Sequence, residues 1–166
     1  MSIFTVSASA SEIDALADLL EILFLQELEF QPNKDLQKRA LERIITNPSI
    51  GVVICAKLET LDQSPESQAA SSAHLTTRII GMVSLLFTES TVLGGRVALL
   101  EDMIVLPQFQ KQGVGSMLIQ AAKDFAKNSG CKRITLLTDS LNTSAQTFYE
   151  NHGFKSSQMV TYRYLI

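Results

Sequence analysis

The stretch from residue 96 to residue 128 constrains the fold of this chain most. It opens with the run RVALLEDMIVL, whose apolar residues occupy both alternating sets of positions, as in a central strand buried on both faces. Two glycines, Gly113 and Gly115, come next, and an amphipathic helix follows them. The predicted buried stripe of this helix is Val114, Met117, Leu118, Ala121, Ala122 and Phe125. A buried strand that leads through glycines into a helix indicates an α/β fold.

The remaining segments add strands and helices around this unit. Alternation and β-branched runs predict strands, helical spacing predicts helices, and Pro or Gly separates them. The predicted order is β-α-α-β-β-β-α-β-α-β, and FKSSQMVTYRYLI, residues 154–166, is the last strand or a bent pair of strands. No internal repeat or linker divides the chain. We therefore predict one α/β (α+β) domain over residues 1–166, with a mixed central sheet flanked by helices.

One segment between the predicted strands has a different composition. Residues 59–77, ETLDQSPESQAASSAHLTT, are rich in Ser, Ala, Gln and Thr and nearly free of large apolar residues. Such a segment cannot bury enough apolar surface to offset the entropy lost on ordering. We predict a mobile loop between two hairpin strands.

Charge and cysteine content argue against several classes of protein. A net charge of −3 and a pI of about 5.4 disfavour a nucleic-acid partner, which usually requires a basic face. Cys55 and Cys131 lie far apart, without a CxxC pattern or a histidine at ligand spacing, so we expect no metal site. The chain shows no signal-peptide pattern and no apolar run of the ~18 residues that a membrane span requires, which favours a cytoplasmic protein without a membrane partner.

Gly113 and Gly115 need a compensating role, because glycine at the start of a helix costs backbone entropy. The first N–H groups of a helix have no partner inside it and lie at the positive end of its dipole, so a phosphate binds them well. Close packing of the helix on the strand is the alternative role. A P-loop would need Lys and Ser or Thr after the second glycine, and a dinucleotide fingerprint would need Gly or Ala in place of Leu118. An ATP- or NAD-binding regulator is therefore disfavoured.

The run VLPQFQKQGVGSMLI resembles the signature of the GNAT superfamily of acetyl-CoA-dependent N-acetyltransferases. That pattern is [Arg/Gln]-x-x-Gly-x-[Gly/Ala], and Gln110, Gly113 and Gly115 match it. AQTFYENHGF near the end of the chain is similar to the family's second landmark, Phe-Tyr-x-x-x-Gly-Phe. The resemblance extends from about residue 96 to residue 154, and the first half agrees in element order. It implies a single GNAT-like domain with a mostly antiparallel central sheet.

The resemblance also implies a binding site for acetyl-CoA. Backbone N–H groups of the glycine loop would hold the pyrophosphate, the end of the preceding strand would pair with the pantetheine arm, and an amide there would hold the thioester carbonyl. Asn142 would contact the arm, and the Tyr149 hydroxyl would lie near the sulfur. The residues implied to bind acetyl-CoA are Met103, Ile104, Val105, Gln110, Lys111, Gln112, Gly113, Val114, Gly115, Ser116, Asn142 and Tyr149.

Acetyl transfer to an amine needs a base for the ammonium proton and an acid for the departing thiolate. Tyr149 is the predicted acid, and a core aromatic is its alternative role. Glu101 is the preferred base because it shares strand parity with Met103 and Val105, while Asp102 points to the opposite face. A structural carboxylate at Glu101, a base role for Asp102 and a water chain all stay open.

The resulting hypothesis is an enzyme, an acyltransferase that moves the acetyl group of acetyl-CoA to a primary amine by direct attack in a ternary complex. The acceptor would be a small molecule or a peptide, and the family fold often forms homodimers. Four acidic residues near the first two predicted helices faintly favour a cationic acceptor: Glu21, Glu27, Glu29 and Asp35. The alternative is a non-catalytic acyl-CoA-binding or sensing module with the same fold.

Overall fold

The structure, a computed structural model, describes residues 2–26, 31–61 and 75–166. Its chain separates into two compact units, Met1–Leu136 and Leu137–Ile166, which are described in turn. The elements of the first unit are β1 (Ser2–Ser7), α1 (Ile13–Phe24), α2 (Lys34–Thr46), β2 (Gly51–Leu61), β3 (Leu75–Ser90), β4 (Gly95–Val105), α3 (Val114–Asn128) and β5 (Ile134–Leu136). The second unit contains α4 (Thr143–Asn151).

The five strands form one mixed sheet in the order β1-β2-β3-β4-β5. The first four strands pair antiparallel, and β4 pairs in parallel with β5. The β4–β5 pairing covers only three positions and ends where Leu100 lies opposite Leu136, five residues before the end of β4. The predicted mixed, mostly antiparallel sheet flanked by helices is confirmed.

Helices cover the two faces of this sheet. A Cβ added at Gly81 of β3 would lie 2.8 Å from the Ile104 carbonyl oxygen and 3.2 Å from Leu118 Cδ1, so α3 packs closely on that face. On the opposite face, a Cβ added at Gly51 would lie 3.2 Å from Ile44 Cγ2 of α2. The largest fully buried apolar side chains come from both layers: Leu16, Ile80, Met82, Leu85, Leu118, Ile119, Val53, Val83 and Val114. Each stabilises the fold by about 1.5–3 kcal/mol relative to exposure.

The buried stripe of α3 differs from the predicted one. Val114, Leu118 and Ala122 are buried as predicted, but Met117 is 36% exposed, and Ile119 and Ala126 are buried in addition. Apolar residues occupy more than half of this helix's circumference, so their spacing alone does not locate the centre of the stripe. Packing against the sheet determines where the centre of the buried stripe lies, and that centre is shifted toward Ile119.

The ends of the predicted 59–77 loop are strand. β2 continues to Leu61 and β3 begins at Leu75, and Thr60 Oγ1 lies 3.0 Å from Thr76 Oγ1 across the hairpin. Cross-strand threonine pairs of this kind stabilise a ladder in spite of a polar sequence, which is why composition placed the boundary too early. The central part of the prediction, residues 62–74, lies outside the described residues.

The second unit corrects the end of the predicted order. Residues 154–166 contain no strand, and Tyr162 and Tyr164 are each 91% exposed. Their alternating pattern suits a strand, but a strand also needs a partner backbone, and residues 137–166 include none. Similarly, only Ile134–Leu136 of the predicted KRITLLTDS strand is paired, since the β4 ladder ends there.

Within the described residues, none of the helices combines the length and the apolarity needed to cross a membrane.

Candidate functional site

β4 carries one extra residue near its end. Met82 lies opposite Ile104 and Ser84 lies opposite Glu101, so two steps along β3 correspond to three steps along β4. Asp102, within this β-bulge, has a φ of 49°, in the left-handed region that residues other than glycine seldom adopt. The bulge therefore sets the direction of the last residues of β4. These are the residues that the family resemblance predicts to pair with the pantetheine arm.

The bulge also changes which face Glu101 occupies. Directly opposite residues of an antiparallel pair share a face, so Glu101 lies on the same face as Ile104. Val105 lies opposite Gly81, on the other face, which α3 covers. The predicted shared parity of Glu101 and Val105 is wrong, because strict alternation does not continue through a bulge. Glu101 instead faces the side of the sheet on which α2 packs.

Two glutamine side chains fasten the loop between β4 and α3. Gln110 Nε2 donates to the Val105 carbonyl at 3.0 Å, and Gln112 Nε2 donates to the Gln108 carbonyl at 2.8 Å. Lys111, between them, is exposed and has a φ of 59°. The sequence predicts that these three side chains lie beside a pyrophosphate. The two side-chain amides donate to carbonyls of β4 and of the loop itself. Their direct effect is to hold the conformation of the loop.

Gly113 occupies the position before the first turn of α3. Its φ is 85°, a left-handed conformation that glycine adopts without a steric penalty. The N–H of Met117 donates to the Gly113 carbonyl at 3.0 Å, which places the amides of 114–116 in the first turn, where a helix offers them no acceptor. A Cβ added at Gly113 would have nothing within 4 Å. Close packing therefore does not explain Gly113, whereas its left-handed φ does, and the space beside it is open.

The second unit contains the other two predicted residues. Asn142 caps α4, because its Oδ1 accepts from the Ala145 N–H at 3.0 Å. Tyr149 makes edge contacts with the rings of Phe148 and Phe154, whose centroids lie 5.4 and 5.8 Å away. Burial raises the pKa of Tyr149 above its ordinary value of 10.0. The hydroxyl is therefore protonated at neutral pH, as a proton donor must be.

The structure also draws attention to a residue that the sequence prediction missed. Ser84 is buried beside the bulge, and it is the one polar residue of the run IIGMVSLLF, residues 79–87. A polar residue inside an apolar strand is a signal that the sequence already carries. No group of three or more His, Cys, Asp or Glu residues in the described part of the chain is placed to hold a metal ion.

Comparison with known proteins decides the family of this strand, loop and helix arrangement. Residues 25–154 match the Acetyltransferase (GNAT) family. The chain belongs to the GNAT family. The family prediction from the two sequence landmarks is thereby confirmed.

Two curated relatives illustrate the range of matches to this GNAT chain. Uncharacterized N-acetyltransferase YhfO of Bacillus subtilis (strain 168) is 38% identical over 76 residues, which cover 46% of this chain and 51% of that protein. Glucosamine 6-phosphate N-acetyltransferase of Trypanosoma brucei brucei is 28% identical over 141 residues, covering 84% and 91% of the two chains. The chain thus spans about half the length of the first relative.

A solved structure supports the same fold. A predicted acetyltransferase with acetyl-CoA from Clostridium acetobutylicum superposes with a TM-score of 0.73 and 15% sequence identity. The match covers 98% of this GNAT chain and 96% of the other chain. At this identity the similarity concerns the fold alone.

Proposed function

We propose that this GNAT protein is an N-acetyltransferase that moves the acetyl group of acetyl-CoA to a primary amine. The open left-handed Gly113 at the start of α3 is the observation that carries the proposal. It leaves the first-turn amides accessible to a pyrophosphate, and apart from its two chain neighbours nothing lies within 4 Å of the position that a Cβ would occupy. Membership of the GNAT family supports acetyl-CoA as the ligand of this loop.

In this proposal acetyl-CoA supplies the activated acetyl group, and the chain binds and orients it. The backbone amides of 113–116 hold the pyrophosphate, since they point outward at the positive end of the helix. The side chains of Gln110 and Gln112 keep the loop in place through the Val105 and Gln108 carbonyls. The end of β4, Met103–Val105, supplies backbone groups for the arm, and Asn142 keeps its predicted contact with it.

Two side chains handle protons. Tyr149 supplies a proton to the leaving thiolate, and its raised pKa keeps the hydroxyl protonated over the working range of pH. Glu101, on the face of the sheet where α2 packs, is the proposed base for the ammonium proton of the acceptor. The attack is direct, within a ternary complex. A small molecule or a peptide supplies the amine.

The acidic residues near the first helices give little information on the acceptor. Glu21 pairs with Lys34 at 2.9 Å, and Lys34 also pairs with Asp18 at 3.0 Å, so Glu21 is engaged in an ion-pair cluster on the helices themselves. Asp35 lies exposed in the first turn of α2, and Glu27 and Glu29 lie outside the described residues. The proposal therefore commits to a primary amine as the reacting group and does not rest on a cationic acceptor.

A thermal unfolding series with acetyl-CoA, CoA, ATP and NAD tests the cofactor. A ligand at 100 times its dissociation constant stabilises the folded protein by about 2.7 kcal/mol. We expect the two CoA compounds alone to raise the unfolding temperature of the wild type. Gly113→Glu should abolish the rise, because it places a carboxylate where the pyrophosphate approaches.

Gly130→Glu is the matched control. Gly130 follows the other end of α3, has a φ of 75° and likewise has open space at its Cβ position, so the substitution adds the same charge and similar strain. It should retain the CoA response. If Gly130→Glu loses the response to the same extent, the effect is strain or charge and the loop assignment fails.

Release of free thiol with a panel of amines that includes glucosamine 6-phosphate then tests transfer. Binding without thiol release would replace the proposal by a non-catalytic acyl-CoA-binding module.

A further inference from the structure

Ser84 is a buried hydroxyl in an otherwise apolar part of the sheet. It is 1% exposed, and its neighbours Met82, Val83 and Leu85 are fully buried. A buried hydroxyl without a partner destabilises a protein, so its hydrogen bonds decide why it is tolerated here. Its hydrogen bonds are all with residues of the β4 bulge.

The contacts of Ser84 flank the strained residue of the bulge. Its Oγ donates to the Glu101 carbonyl at 3.0 Å and lies 3.4 Å from Asp102 Oδ2. The Glu101 carbonyl belongs to the peptide bond that immediately precedes the Asp102 N–Cα bond, about which the φ of 49° is measured. Ser84 therefore holds the Glu101–Asp102 peptide plane, which precedes the Asp102 N–Cα bond, and contacts the Asp102 side chain, which follows it.

A left-handed non-glycine residue persists only where its surroundings impose it. Without the bulge, strict alternation would place Glu101 on the face of Val105, and the residues that follow would shift by one position. The conformation of Asp102 thus determines both the face of Glu101 and the position of Met103–Val105. These are the residues to which the proposed function assigns the base and the contact with the acetyl-CoA arm.

We propose that Ser84 is a positioning residue, whose hydroxyl holds the Glu101–Asp102 peptide so that the end of β4 meets acetyl-CoA in register. This inference rests on the proposed function. Ser84 itself touches neither acetyl-CoA nor the reacting atoms. It acts through the backbone of β4.

Ser84→Thr and Ser84→Val form the decisive pair of variants. Both place a β-branched side chain of similar shape at a buried position, but only threonine keeps a hydroxyl. Calorimetric titration with CoA should give Ser84→Thr a dissociation constant close to that of the wild type and Ser84→Val one about tenfold higher. Ser84→Ala, which removes the hydroxyl without adding volume, should also bind CoA about tenfold more weakly. It takes the place of Ser84→Val if that variant does not fold.

A rescue variant separates positioning from a general loss of stability. Glycine at position 102 adopts a positive φ without strain, so Ser84→Val with Asp102→Gly should recover part of the CoA affinity. The dissociation constant is the readout here, because it does not depend on whether Asp102 takes part in catalysis. Far-UV circular dichroism confirms that each variant is folded before titration.

The outcomes are distinct. If the wild type does not bind CoA, the proposed function fails and this inference fails with it. If the wild type binds CoA and the threonine and valine variants bind equally, whether tightly or weakly, the hydroxyl has no positioning role and the proposed function survives. Weaker binding by the variants that lack the hydroxyl but not by Ser84→Thr, with recovery in the double variant, supports the assignment.

Discussion

Tyr149 is the residue to which the proposed function gives the protonation of the thiolate, and its surroundings bear on that role. Its ring makes edge contacts with Phe148 and Phe154, and burial raises the pKa of the hydroxyl above 10.0. Burial disfavours the phenolate, so the group holds its proton throughout the physiological range. A proton donor that is fully protonated at neutral pH suits the release of a thiolate.

Substitution of Tyr149 by Phe should therefore lower kcat by about 100-fold while KM for acetyl-CoA changes little, because a general acid acts mainly in the transition state. Steady-state thiol release measures both constants. Because the pKa is raised, the contribution of Tyr149 should be constant between pH 7 and pH 9. Tyr162→Phe, at an exposed position, is the control and should leave kcat unchanged. An unaltered kcat in Tyr149→Phe would assign the proton transfer to another group.

Among the elements, the turn before α1 is joined to β2 by a shielded ion pair. Glu12 Oε1 contacts Lys57 Nζ, and the two side chains are only 17% and 18% exposed. Burial raises the pKa of Glu12, but hydrogen bonds from Lys57 and Ser9 outweigh it, and the pKa lies below its ordinary value of 4.5. The pair thus links the start of a helix to the sheet that it covers.

This pair predicts how stability depends on pH. A carboxyl with a lowered pKa in the folded state adds stability above the unfolded pKa, and that stability is lost as the pH falls through the folded pKa. We expect Glu12→Gln to reduce the free energy of unfolding by about 2 kcal/mol at pH 7. The difference from the wild type should shrink as the pH falls below 4.5. Urea unfolding at several pH values measures it.

Asp14→Asn is the matched control for this prediction. Asp14 pairs with Lys38 at 2.6 Å, and Lys38 lowers its pKa, but the carboxylate is exposed and screened by water. Its removal should change stability much less than Glu12→Gln does. Equal effects of the two substitutions would mean that burial of the Glu12–Lys57 pair adds nothing to its contribution to the free energy of unfolding.

For the molecule as a whole, the end of the chain poses the main question. Apolar or aromatic side chains alternate with polar ones over residues 160–164, yet Met159, Tyr162, Tyr164 and Leu165 are each about nine-tenths exposed. Their backbone has no ladder partner within residues 137–166. Amide hydrogen exchange should therefore be fast across this segment, and slow in the β2–β3 hairpin, whose residues pair over most of their length.

Exchange followed by mass spectrometry of peptic fragments tests this directly. Fast exchange over 158–166 supports the exposed conformation. Protection comparable to that of β3 would show that the segment acquires a strand partner in solution, as its sequence pattern predicts. The amides of residues 137–140, which precede α4 and are exposed, serve as the reference for fast exchange.

The amino-acid sequence alone determined the order of elements as far as α4, the mixed sheet with its helices and the family. These features depend on patterns within short segments: the strand before Gly113, the helix after it, and the two landmarks around Gly113 and Tyr149. Such patterns are readable because periodicity and turn preference act between near neighbours. The open backbone at Gly113 agrees with the role inferred for it, which stays a proposal.

Only the tertiary structure decided the rest. The face of Glu101, the link from Ser84 to the bulge, the centre of the α3 stripe, and the absence of a strand after residue 153 all depend on pairing between distant segments. The register of β3 against β4 can absorb one extra residue at Asp102, and no local pattern in β4 marks that position. A strand exists only where a second backbone completes its hydrogen bonds, so alternation at the end of the chain is not sufficient.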